Sequence, residues 1–236
     1  MAVAPIFSDF DFRAHLARLA EVADLTQGSC HEDWELYLDG MQVLYDAWAA
    51  VGTTLDIPTR SQKDATLAIS AQVVMALTSA GVLVLSGDYQ RSIVCSRQAY
   101  EELLHLVACQ HDVNTADRYL RGRTPKPADI RKAVKASDLV RLQYDWLSKF
   151  AHGGIENARL MQGEGWMPLQ SGQPNPKSAR IALDAALHVV AAAAAEFIAP
   201  FGPQDVEWHR QWTEGQFAFR ARLDAHRQAL RPSVDA

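Results

Sequence analysis

The chain has 236 residues, 48% hydrophobic and 22% charged, enough apolar material for one large core without disulfides or a structural metal. This balance excludes bulk disorder, and only 13 Gly and 10 Pro argue against a turn-rich all-β fold. A formal charge of −5 excludes a polycation that coats nucleic acid, while leaving room for a local site.

Helical periodicity runs through nearly the whole sequence. Ser8 or Asp9 caps a first helix reaching about Asp24. A second opens around His31 and runs to the Val51–Gly52 stop, carrying Trp34, Leu38, Met41, Leu44, Tyr45 and Trp48 at three- and four-residue steps. A third covers roughly 60–86 and stops at Gly87; Asp88 caps a fourth that reaches about His111. A short fifth follows Asn114 before Gly122, Pro125 and Pro127 break the chain. A sixth runs from about Ala128 to Ala151 and ends at Gly153–Gly154. Residues 153–176 hold five Gly and three Pro and read as one long loop, of the kind that serves as a lid, a binding loop or a linker. An Ala-rich seventh helix covers 177–199 up to Pro200. The eighth, from Gln204 to about Leu230, is the most charged and bears Trp208, Trp212, Phe217 and Phe219. Neither a repeat nor a domain boundary stands out. Residues 1–236 read as a single all-α domain, a bundle of seven to eight helices with an amphipathic C-terminal helix packed across it.

The third helix raises the question of a membrane. Ala65–Gly87 lacks any charged residue and is long enough to span a bilayer. Ser70, Gln72, Thr78, Ser79 and Gly81 interrupt it, and no Lys or Arg cluster flanks it, so the expectation is a helix buried all round at the centre of the bundle. Cys30, Cys95 and Cys109 are an odd number without paired spacing; the last two lie about 21 Å apart along one helix, too far to bridge. That pattern, with acidic residues and Phe where a signal peptide has a basic region, predicts a reducing, cytoplasmic setting and no membrane span.

Charge is uneven along the chain. Residues 1–60 net −7, whereas 118–141 net +6 through Arg118, Arg121, Arg123, Lys126, Arg131, Lys132, Lys135 and Arg141 against Asp129 and Asp138. Such a run is either a solvated helix face or a patch for phosphate or an acidic partner, including the acidic region of a second copy.

On helix four, Ile93, Val94, Tyr100, Leu104, Val107 and Ala108 define an apolar arc that contains Arg97 and Glu101, with Arg91, Gln98, Glu102 and Cys109 opposite. Two charges on a core-facing stripe are costly unless paired, and their spacing of four lets them pair. The pair is then either a structural tie or a cleft pair in which Arg97 binds an anion and Glu101 orients a base. On helix six, Ser137, Arg141, Tyr144, Ser148 and His152 share one face, and Leu139, Leu142, Trp146, Leu147 and Phe150 the other. His152 at the helix end is where the dipole stabilises an imidazolium, and the following glycines let a ligand approach the backbone.

These residues resemble something known. Gly87-Asp88, Arg97-x-x-x-Glu101, Asp112, Arg118–Tyr119 and the run from Tyr144 to His152 look like a bacterial helical family built on an R-x-x-x-E helix and a Y-x-x-L-S-x-x-x-H helix. The resemblance covers roughly 65–155, and by analogy it is similar to the broad HEPN group, which includes RNA-cleaving toxins and phage-defence effectors. HEPN ribonucleases carry Arg, a polar residue, three others and His on one helix. Here Leu147 stands at the Arg position and Ser148 at the polar one, so the cation has to come from Arg97. The resemblance implies a metal-independent ribonuclease or RNA-binding effector with His152 as acid or base, Arg97 stabilising phosphate charge, and Glu101, Ser148 and Tyr144 orienting. Arg131, Lys135, Arg141 and Lys149 would hold the substrate. The alternative is a non-catalytic module that binds a partner protein or itself, with Arg97, Glu101, Ser148 and His152 as a structural polar network.

No cofactor or metal is expected. Glu102-x-x-His105 has a di-iron spacing and Asp184-x-x-x-His188 offers another ligand pair, but the further carboxylates such a site needs are missing, and Glu102 falls on the polar side. P-loop, dinucleotide, nucleophile-elbow and zinc-finger motifs are absent. The most exposed expectation is geometric: helices four and six lie side by side with Arg97 and Glu101 facing Ser148 and His152.

Overall fold

The computed structural model describes residues 12–126, 129–130, 145–148 and 175–230. The described elements are α1 (Phe12–Ser29), α2 (His31–Thr53), β1 (Leu55–Asp56), α3 (Arg60–Leu85), α4 (Tyr89–His111), α5 (Val113–Leu120), α6 (Pro176–Glu196), β2 (Gly202–Pro203) and α7 (Val206–Leu230). Residues 145–148 are also helical. The fold is the all-α bundle that the periodicity predicts. The Ser8 or Asp9 cap, most of the helix expected over 128–151 and the loop from 153 to 174 lie outside the described residues.

Side-chain caps set most helix starts. Thr59 accepts the Gln62 backbone N–H at the head of α3, and Asp88 accepts that of Arg91 at the head of α4. Gly87 supplies the left-handed turn between them, at φ 75°. Asp112 accepts from Asn114 and Thr115, which starts α5 at Val113. Asn175 accepts from Ser178 ahead of α6, with Pro176 in the first turn. α1 passes the expected end at Asp24 and continues to Ser29. Gly28 alone does not stop it, and the Cys30 N–H still bonds the Thr26 carbonyl at 3.0 Å.

α3 and α4 fold back on each other in the most extensive contact of the bundle, with α2 and α6 completing the core and α5 closing one end. Buried Ile69, Val73, Leu77 and Val84 of α3 meet a continuous cluster that includes Leu44, Ile93, Leu183, Val190 and Phe197. Each such side chain contributes roughly 1.5–3 kcal/mol on burial. One expectation is corrected here: α3 is not buried all round. Its neighbours pack on one side, so the stripe Gln72–Met75–Ser79–Val82 reaches the surface, with Met75 68% and Val82 61% exposed. Among the described residues, α3 and α6 are both long and apolar enough to cross a membrane, with 50% and 61% of their apolar windows buried inside the bundle.

A chain of buried amides fastens the helix ends. Gln62 Nε2 donates to the Gln110 carbonyl at 2.7 Å, and Gln110 Nε2 donates to the Glu196 carbonyl at 3.0 Å. The antiparallel pair β1–β2 ties the α2–α3 connection to the α6–α7 connection, beside Gln204 N–H on the Thr54 carbonyl at 2.7 Å. α7 packs on α2: the Phe219 ring sits against Gly40, and Trp212 Nε1 donates to the Val43 carbonyl at 3.4 Å. Phe217 faces solvent instead.

Candidate functional site

The predicted pair on α4 forms. Arg97 Nη2 lies 2.9 Å from Glu101 Oε1, with the two side chains 18% and 27% exposed. The wider face assignment needs correction. Cys109, expected on the polar side, is buried, and Glu102 is half-buried, whereas Val94 of the apolar arc is exposed. α4 runs between α3 and α6 with α5 across its end, so it buries more than one face.

Between α4, the helical residues 145–148 and α6 lies a cavity of about 340 Å³ lined by Tyr100, Trp146, Leu147, Asp184, Ala185, His188 and Val189. Tyr100 and Leu147 are buried, and Trp146 keeps 37% of its surface open. Residues 145–148 therefore flank the side of α4 that carries Tyr100, adjacent in sequence to Glu101. Helical spacing places Asp184 and His188 on one face of α6, and α7 brings Arg227 to them. Arg227 Nε and Nη2 donate to Asp184 Oδ1 at 3.2 and 3.1 Å, and Arg227 Nη2 lies 2.7 Å from His188 Nδ1. The Asp184 main-chain oxygen also sits 2.8 Å from Nδ1. One nitrogen cannot donate to that oxygen and accept from arginine at once. Asp184 Oδ1 lies 3.5 Å from the same nitrogen. Guanidinium has no acceptor and keeps its charge, so the Arg227 contact favours the tautomer in which Nδ1 accepts and Nε2 carries the proton, whereas the two Asp184 oxygens favour the other.

Of the predicted site residues, Arg97 and Glu101 meet each other. Ser148 lies in the helical stretch 145–148, but its Oγ is buried and makes no hydrogen bond, so it is not joined to either charge. Tyr144, His152, Arg131, Lys135, Arg141 and Lys149 lie outside the described residues. Sequence reasoning missed the group on the cavity wall. Asp184 and His188 were visible only as a spacing of four, and nothing in the sequence links them to Arg227, 39 residues beyond His188.

A second polar cluster joins α4 to α5. His105 is buried, as a structural rather than a surface residue, and its ring lies 6.1 Å from that of Tyr119. Burial pushes the Glu102 carboxyl up and the His105 imidazole down, each toward its neutral form. Tyr119, which donates to Gln72 Oε1 at 3.2 Å, is pushed up to about 12 by burial and then by the Glu102 charge. Burial pushes the Cys109 thiol up to about 12 as well, which makes it inert as a nucleophile. Among the described residues no three His, Cys, Asp or Glu side chains converge as metal ligands, and the carboxylate of Asp184 carries a guanidinium.

The fold and this site define a class: an all-α bundle with a partly open, aromatic-lined cavity whose wall carries Asp184 and His188, both held by Arg227. No family model, curated protein or solved structure matches the chain.

Proposed function

We propose that the protein is an HEPN-like, cytoplasmic helical effector of a bacterial defence or stress system that acts on RNA. The observation that carries this reading is the cavity. Tyr100 and Trp146 offer aromatic surface for an unstacked base, and the neighbouring α4 positions hold the Arg97–Glu101 pair. The segment of net charge +6, residues 118–141, leads in sequence to the cavity-lining Trp146 and Leu147 and supplies cations for the phosphate backbone. In this reading His152 is the acid or base, Arg97 stabilises phosphate charge, and Glu101, Ser148 and Tyr144 orient; Arg131, Lys135, Arg141 and Lys149 hold the strand. The purified full chain should cleave single-stranded RNA in the presence of a chelator, and His152→Ala should abolish cleavage. Cleavage that persists in that variant refutes the assignment.

One observation favours a second reading. Arg97 and Glu101 are largely buried and bonded to each other within one helix, as a structural tie would be. The protein would then be a non-catalytic module that binds a partner protein or a second copy, matching acidic residues 1–60 to basic residues 118–141. Salt-dependent self-association without RNA cleavage is the result expected of that module.

A further inference from the structure

Resting on the RNA reading, we propose that the cavity between α4 and α6 is a nucleobase pocket, its base edge read by His188 Nε2–H and the Asp184 carboxylate, with Arg227 as the positioning residue. Four observations lead there. The volume, about 340 Å³, falls at the small end of ligand pockets, suited to one mononucleotide-sized group. Two aromatic rings, Tyr100 and Trp146, and the aliphatic Leu147 and Val189 give flat, apolar walls. In the tautomer that the Arg227 contact favours, His188 Nε2–H is a donor with no partner in the protein among the described residues. Arg227 binds only Oδ1 of Asp184, so Oδ2 remains an acceptor on a residue that lines the same cavity. A donor and an acceptor one helical turn apart on α6, among apolar lining residues, suit the edge of a base, which carries both an acceptor and an N–H.

The same wall is a poor fit for phosphate. Arg227 braces the Asp184 and His188 side chains of the lining, and both of its bonds to the carboxylate oppose its charge with that of Asp184. An anion there would meet the Asp184 carboxylate at once. Arg227 acts through His188: without it, the ring is free to place its proton on Nδ1 against the Asp184 carbonyl, and Nε2 becomes an acceptor that no longer matches the base edge.

The test is equilibrium binding to the full chain, using adenosine, cytidine, adenosine 5′-monophosphate, ribose 5-phosphate and inorganic phosphate. Nucleosides should bind nearly as well as the nucleotide, and the two phosphates should not bind. His188→Ala should weaken nucleoside binding about tenfold, and His188→Gln, which restores an amide donor, should recover part of it. Nitrogen-15 imidazole spectra should show the Nε2–H form in the wild type and a shift toward Nδ1–H in Arg227→Gln, a signature that a purely structural role would not produce. Phosphate binding as tight as nucleoside binding, or unchanged affinity in a folded His188→Ala, overturns the proposal. Nucleoside binding without RNA cleavage leaves the pocket standing and removes the ribonuclease reading. RNA cleavage that is unaffected by His188→Ala, without nucleoside binding, removes the pocket alone.

Discussion

The Tyr37 hydroxyl donates to the Leu77 carbonyl at 2.6 Å, and its ring lies so close to Gly81 that a Cβ there would meet Tyr37 atoms at 2.7 Å. α2 and α3 approach at this point because Gly81 has no side chain, and the hydrogen bond stops the ring from swinging away. Gly81→Ala gains about 1 kcal/mol of helix propensity but forces a tethered ring to move, so a net loss of about 1–3 kcal/mol is expected in urea unfolding. Adding Tyr37→Phe should recover part of it, because the hydroxyl is one of the clashing atoms and is also the tether. Equal or greater stability of Gly81→Ala would contradict this packing.

The helices are legible because their starts are written locally: Asp88 reads as the cap of α4, and Thr59 and Asp112 cap α3 and α5 in the same way, although the fifth helix is expected only after Asn114. The sequence also marked Arg97–Glu101, since a spacing of four is a property of one helix. It did not show which sides of α4 are covered. Cys109 and His105 are buried because α5 folds over the end of α4, a tertiary fact that no period encodes. The β1–β2 pair was invisible for a related reason: two residues have no alternation to read. Arg227 reaching His188 depends on how α7 crosses α6, which the pattern within either helix leaves open.

Stability should respond to pH with opposite signs at His105 and Glu102. Burial lowers the His105 pKa, so its contribution is complete above the ordinary histidine value of 6.5 and is lost as pH falls through the folded value. Burial raises the Glu102 pKa, so its contribution is complete below 4.5 and is lost as pH rises through the folded value. Glu102→Gln should therefore raise the urea midpoint at pH 7 and change little at pH 4. His105→Phe should flatten the loss of stability below pH 6.5. Parallel pH profiles in wild type and both variants would show that neither group is desolvated as described.

α7 should detach before the rest of the bundle when its anchor is removed. Phe219 is buried on Gly40, whose absent Cβ would lie 2.7 Å from the ring. Polar ties along the same helix, His226 to Asp33 at 2.8 Å and Arg222 to Asp39, cannot replace that apolar contact. Phe219→Ala is expected to cost about 3–5 kcal/mol. Hydrogen exchange should show amides of 206–230 opening well ahead of those in α3 and α4. Uniform loss of protection across all helices would instead make α7 an inseparable part of the core.

The Arg97–Glu101 pair separates a structural tie from a binding site by a double-mutant cycle. Its charges are largely but not fully buried, so the pair falls between an exposed bridge, near 0–1 kcal/mol, and a buried one, whose disruption costs about 3–5 kcal/mol. Arg97→Ala should lower stability by about 1–3 kcal/mol, more than the surface substitution Arg91→Ala. Both residues have contacts beyond each other, so single replacements report more than the pair; the cycle with Glu101→Ala isolates it. A coupling of about 1 kcal/mol is expected from chemical denaturation, since the bond is made within α4 whatever else the residues do. Zero coupling would mean that the two side chains are held in place by other partners.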